Sequence, residues 1–297
     1  MNELNIDMKG IFAASVTPFD KENKINDKVL LKLMERNMKE GVTGFFIGGS
    51  SAECFLLSRD ERMRLFEIAA ENKNKTKLIA HVGAVSTDEA IKYGLRAKEL
   101  GYNAIAATAP YYYKFSPKEI AQYYYDIYER VGMPIIVYNF PGNTGVEFDL
   151  KNKDFKELFK SPAIAGVKHT SLNLYQLERI KNLKNSLYMY NGFDEILLAG
   201  IAMGADGAIG STFNFMYTHY KKIKEAFESL NYEEARALQV KANNIMEALC
   251  SVGLIPAIKY ILTLRGIDAG VSRKPFSELD SAQKKYIEEI LELNLVC

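Results

Sequence analysis

The sequence has no tryptophan, three cysteines, three histidines and eight prolines in 297 residues. Each shortage removes a class of explanation. Cys54, Cys250 and Cys297 are far apart, odd in number and without a CxxC pair. A disulfide framework is therefore not expected, and a reduced, cytoplasmic protein follows as the default. His81, His169 and His219 are equally scattered and show no HExxH or similar ligand spacing, so metal-free chemistry is expected. No apolar run reaches membrane-spanning length, and residues 1–9 lack the apolar core of a signal peptide. Neither sign of charge dominates: 38 Lys plus Arg stand against 37 Asp plus Glu. A net charge of +1 gives no basic face for nucleic acid or an anionic membrane.

What is present is an ordinary globular composition, 48% hydrophobic and 25% charged. Strand-like apolar runs are expected over 11–16, 44–48, 77–83, 103–109, 134–138, 164–169, 187–190 and 207–209. Amphipathic helices fill the intervals, over 28–40, 58–72, 87–100, 117–130, 152–159, 173–181, 195–203 and 215–229. Ser58 with Glu61, and Ser116-Pro117 with Glu119, have the pattern of helix starts, and Gly101 that of a helix stop. Strand and helix alternating in this way predict an α/β fold, a closed parallel (β/α)8 TIM barrel over 1–229. An open doubly wound sheet is the runner-up, but no GxGxxG follows the first strand. Beyond it, 232–250, 254–264 and 281–293 read as helices without strands, so 230–297 is expected to be a helical region packed on the barrel.

Active sites of such barrels lie at the strand exits. The sixth strand, Ala163-Ile164-Ala165-Gly166-Val167-Lys168-His169, carries a lysine near its exit. A buried ammonium is costly unless paired, and a neutral, desolvated amine is what Schiff-base chemistry on a carbonyl needs. A lysine at a strand end can also simply reach out to solvent. Alternation puts Gly166 and Lys168 on one face, with Gly166 leaving room below the lysine. On the neighbouring strand Ile136 and Tyr138 share a face, so Tyr138 and Lys168 are expected side by side. Buried tyrosines more often just pack a core.

Other exits supply polar groups. Gly48-Gly49-Ser50-Ser51 offers hydroxyls beside exposed amides, a carboxylate cradle or a plain turn. Asp194-Glu195 could bind hydroxyls of a polyol, and Asp194 could also cap a helix. The glycine-rich stretch 204–214 contains no Arg or Lys, which weakens a phosphate reading. Tyr111-Tyr112-Tyr113 at an exit points to the site or to a neighbouring subunit, whereas Tyr123-Tyr124-Tyr125 and Tyr128 suit packing.

Four segments in order are Gly48 to Glu53, Tyr138 to Gly145, Gly166 to Ser171 and Gly207 to Asn214. With them the chain resembles the class I, pyruvate-dependent aldolases that include dihydrodipicolinate synthase and N-acetylneuraminate lyase. The resemblance implies a homotetrameric barrel, a pyruvate Schiff base on Lys168, Tyr138 as the proton-handling phenol, and Ser50 and Ser51 on the pyruvate carboxylate. The covalent lysine implies no cofactor. The synthase branch usually has an arginine where this chain has Asn143, which argues against a charged second substrate. Ile79 to Gly83, Tyr190 to Glu195 and Gly210 to Asn214 look like the sialic acid-cleaving branch. That branch implies Thr170, Gly192, Asp194, Glu195 and Ser211 on the hydroxyls of a long sugar chain, with pyruvate and N-acetylmannosamine as products. Ser51 and Ala52 depart from the Thr and Gly more usual there. The family's tyrosine from a neighbouring subunit maps best to Tyr112, with Tyr111 as the alternative. The rivals are another 2-oxo acid aldolase or dehydratase of the family, and a sugar-acid-binding protein without turnover.

Overall fold

The computed structural model describes residues 7–296, so Cys297 and residues 1–6 of the N-terminal segment lie outside the described residues. Eight strands form: β1 (Gly10–Ala14), β2 (Gly44–Ile47), β3 (Lys77–His81), β4 (Ala104–Thr108), β5 (Ile135–Asn139), β6 (Ile164–His169), β7 (Tyr188–Asn191) and β8 (Gly207–Gly210). They close in sequence order into a parallel barrel, β8 pairing with β1. Around it run α1 (Asp27–Glu40), α2 (Arg59–Ala70), α3 (Thr87–Leu100), α4 (Pro117–Val131), α5 (Pro141–Thr144), α6 (Lys153–Lys160), α7 (Leu174–Lys181), α8 (Leu197–Ala202) and α9 (Phe213–Glu228). The TIM barrel expected from the alternation is the fold observed.

Local signals start and stop these helices. The Ser58 and Ser116 side chains each accept from the backbone three residues on, and Glu61 and Glu119 reach back to complete capping boxes. Gly101 takes the left-handed conformation, φ 83°, that ends α3. One helix departs from expectation. The helix expected over 195–203 splits into a 3-10 turn, Asp194–Ile196, and α8. The barrel mouth also carries 3-10 turns at Ser50–Ala52 and Cys54–Leu56.

The pleat sorts side chains into two cores. Phe12, Phe46, Ile79, Ile136, Tyr138 and Tyr190 fill the barrel interior, while Ile135, Val137 and Val167 face the helices. Tyr138 pairs with Lys168 across β5 and β6, and Lys168 with Tyr190 across β6 and β7. The room at Gly166 is taken by the next strand: a Cβ there would lie 2.7 Å from the Tyr188 carbonyl oxygen. Glycine lets β7 close in beside the lysine's strand.

After the barrel come α10 (Tyr232–Val252), α11 (Leu254–Leu264) and α12 (Ser281–Asn294). Both α10 and α11 pack against α9. Among the described residues no single helix is long and apolar enough to cross a membrane. The pair α10 and α11 passes such a test only together, and it is bent by 115°.

Candidate active site

Lys168 is 4% exposed, so its strand-end position does not carry it out to solvent. Its Nζ lies 4.0 Å from the centre of the Tyr138 ring and 4.5 Å from that of Phe46. Among the described residues no carboxylate is within 4.0 Å of it; the buried lysine ion pair of the chain belongs to Lys259. The amine is therefore desolvated and held by aromatic faces, with no partner to block attack on a carbonyl.

Tyr138 is fixed by its neighbours. Phe46 and His81 meet it edge-on at 5.8 and 5.6 Å, and Phe140 stacks at 5.7 Å. Burial, and next the Arg62 guanidinium, hold the His81 imidazole well below its usual pKa. It is a neutral wall behind the phenol.

Lys168 and Tyr138 open into a cavity of about 490 Å³. Ser50, Ser51, Thr170, Gly192, Asp194, Glu195 and Ser211 line the same cavity, so nine of the ten residues singled out in the sequence converge. Lys168 is the one basic side chain among its lining residues, and Asn143 contributes a neutral amide. Among the described residues no group of three or more His, Cys, Asp or Glu is placed to hold a metal ion.

The exits of β5, β6 and β7 interlock. The Thr170 amide donates to the Asn139 carbonyl at 2.8 Å, and the Gly192 amide donates to that of His169 at 2.9 Å. A Cβ on Gly192 would sit 2.0 Å from Thr170 Oγ1. The Thr170 hydroxyl is buried without a hydrogen-bond partner, as is Glu195 Oε2. Unpaired buried polar atoms at a cavity wall are costly until a ligand pairs them.

Asp194 corrects one expectation. It does not cap a helix: no side-chain cap bond starts the turn it opens. Instead its Oδ2 accepts from the Thr212 amide at 2.9 Å and the Thr212 hydroxyl at 2.6 Å, which joins the exits of β7 and β8. Burial raises its pKa, and the Thr212 hydrogen bonds oppose that shift. Burial likewise raises that of Glu195.

Ser50 and Ser51 sit on their 3-10 turn, which Thr17 ties down by donating to the Ala52 carbonyl at 2.7 Å. Tyr112 is the residue outside the cavity. It is 85% exposed, at φ 78°, and its ring meets Tyr113 edge-on at 5.1 Å. Tyr111 lies closer, its ring 4.9 Å from that of the cavity-lining Phe55. Tyr123 and Tyr124 are buried packing, their hydroxyls each donating to a backbone carbonyl at 3.2 Å.

Sequence reasoning missed the apolar outer wall. Met246, Cys250, Leu254, Ile255, Pro275 and Phe276 line it, all from beyond the barrel. One signal was available: α11 opens with Leu254-Ile255-Pro256 where a solvent-facing helix start would be acidic.

By fold and site the protein is one of the lysine-bearing (β/α)8 barrels, with a buried amine and a phenol sharing the mouth. It belongs to the dihydrodipicolinate synthetase family, whose model matches residues 7–294. It is similar to the N-acetylneuraminate lyase of Rhizobium meliloti (strain 1021), 39% identical over 283 residues, covering 95% of this chain and 94% of that one. Among solved structures it matches CdNal from Clostridium difficile in complex with mannosamine, at 39% identity and a TM-score of 0.93, covering 98% of this chain and 100% of that one. It also matches the N-acetylneuraminate lyase of Fusobacterium nucleatum complexed with pyruvate, at 37% identity and a TM-score of 0.90, covering 97% and 98%.

Proposed function

We infer that the protein is an N-acetylneuraminate lyase, a class I aldolase cleaving N-acetylneuraminate reversibly to pyruvate and N-acetylmannosamine. The observation that carries this reading is Lys168, buried and with no carboxylate within 4.0 Å among the described residues, facing Tyr138 in a cavity whose other polar groups are neutral or acidic. The similarity to lyases across nearly the whole chain supports it.

The reaction follows from these groups. The Lys168 amine adds to the C2 carbonyl of the open-chain sugar acid, and water leaves to give a protonated imine. Tyr138 relays the proton of the C4 hydroxyl, which C3 later receives, as the bond between C3 and C4 breaks and the bonding pair moves into the iminium to form an enamine. N-acetylmannosamine departs as the aldehyde. The enamine is protonated at C3, and water returns to release pyruvate and the free amine. Lysine supplies the electron sink, so the reading calls for no cofactor or metal.

Ser50 and Ser51 would hold the pyruvate carboxylate by hydroxyls and amides. Thr170, Gly192, Asp194, Glu195 and Ser211 would bind the sugar chain; the unpaired Thr170 hydroxyl and Glu195 Oε2 suit alternating donors and acceptors of a polyol. A homotetramer would let the exposed Tyr112 enter a neighbouring subunit's site, with the cytoplasm as its compartment. Domains divide as a catalytic barrel over 1–229 and a helical region over 230–297. The test is turnover of N-acetylneuraminate against condensation of pyruvate with aspartate semialdehyde. The reading expects the sugar acid to be preferred, and a preference for the semialdehyde would overturn it.

A further inference from the structure

The serine turn that lines the cavity is held from outside the barrel. Ser50–Ala52 ends at Glu53, whose amide donates to the Ser50 carbonyl at 3.0 Å. Glu53 adopts φ 57° and ψ 33°, the left-handed conformation that a side-chain-bearing residue rarely takes. It also starts the next turn, its carbonyl accepting from Leu56 at 2.8 Å. The direction of the whole turn thus depends on one strained residue.

The Glu53 side chain is where that conformation is fixed. Its Oε1 lies 2.6 Å from Lys259 Nζ, with the two side chains 0% and 1% exposed, and its Oε2 accepts from the Arg273 amide at 2.7 Å. Lys259 lies on α11 and is held in turn by the Val271 carbonyl at 3.1 Å and the Phe19 ring at 4.2 Å. The Arg273 guanidinium crosses back to the Leu56 carbonyl and to Glu61. Both ends of the serine turn's hinge are therefore gripped by the region after the barrel. A buried ion pair is a poor source of net stability, because desolvation of the charges offsets their attraction. The bond that the Glu53 carboxylate accepts from the Arg273 amide is charge-assisted and directional, and the ion pair with Lys259 holds the other oxygen in place.

We propose that Glu53 and Lys259 are positioning residues for the substrate carboxylate, the ion pair setting the angle at which Ser50 and Ser51 meet a 2-oxo acid on Lys168. The inference rests on the aldolase reading above. Glu53 borders the cavity, but its buried carboxylate is taken by Lys259 and the Arg273 amide, so removing the pair weakens capture of the substrate carboxylate while leaving the amine and phenol in place.

The experiment compares wild type with the doubly neutral Glu53→Gln, Lys259→Met protein, which leaves no lone buried charge. Borohydride trapping is measured against pyruvate concentration, and amide hydrogen exchange is followed at Ala52 and Glu53, whose amides bond to the Gly49 and Ser50 carbonyls. The expected result is a rise of about tenfold in half-saturating pyruvate, with the trapping rate at saturation within about twofold of wild type, and faster exchange at those two amides. Lys259→Arg with Glu53 intact should stay within about threefold of wild type. Half-saturation unchanged in the folded double variant overturns the proposal, and so does a loss confined to the saturated rate. If wild type itself forms no pyruvate adduct, the aldolase reading fails separately; unchanged exchange at Ala52 and Glu53 then overturns the brace on its own.

Discussion

Lys168 and Lys259 are 4% and 1% exposed, and each lies over an aromatic ring, Tyr138 at 4.0 Å and Phe19 at 4.2 Å. The sequence around them is alike too, an apolar run ending in lysine. They differ in company. Lys259 has a carboxylate at 2.6 Å, and Lys168 has none within 4.0 Å among the described residues. A lysine paired with a carboxylate is committed to its partner, whereas one at a cavity wall with no carboxylate in contact is open to a carbonyl. Burial does not distinguish the two lysines; a carboxylate in direct contact does.

Exchanging the two lysines' fates is the sharpest way to break this contrast. Lys168→Met should reduce lyase turnover at least about 10⁴-fold, measured as pyruvate release, while leaving the melting temperature equal or higher, because no ion pair is lost. Tyr138→Phe comes next: turnover should fall about 10²- to 10³-fold while the pyruvate adduct still forms, as the proposed role of the phenol in proton transfer, and not in imine formation, requires. Lys259→Met alone should act the opposite way, costing roughly 3–5 kcal/mol of stability by denaturant unfolding, because Glu53 is left buried and unpaired.

The smallest effect concerns the outer clamp. The Arg273 guanidinium holds the Glu61 carboxyl down to about 2 from 4.5. A depressed carboxylate stabilises the fold above its unfolded pKa, and that contribution is lost as pH falls from about 4.5 towards about 2. Glu61→Gln should therefore flatten the stability profile in that window by about 1 kcal/mol, a figure discounted for the solvent around the pair.

The two lysines also mark what sequence could reach. The Lys168–Tyr138 pair was legible because both sit at exits of adjacent strands, and register follows from alternation. Helix ends were legible where a capping residue and its partner lie within four positions, as at Ser58 and Ser116. The Glu53–Lys259 pair was not, because its members are 206 positions apart (259 − 53) and meet only once α11 folds against the mouth. The capping role offered for Asp194 failed for the same reason: its side chain accepts instead from Thr212, 18 residues on. The apolar wall from Met246 to Phe276 depends likewise on how the last helices dock.

Whether Lys168 or Lys259 is the reacting lysine can be measured directly. Incubation with pyruvate and borohydride, followed by digestion and mass spectrometry, should place the reduced adduct on the peptide carrying Lys168 and leave Lys259 unmodified. An adduct on Lys259, or none on Lys168, would contradict the account.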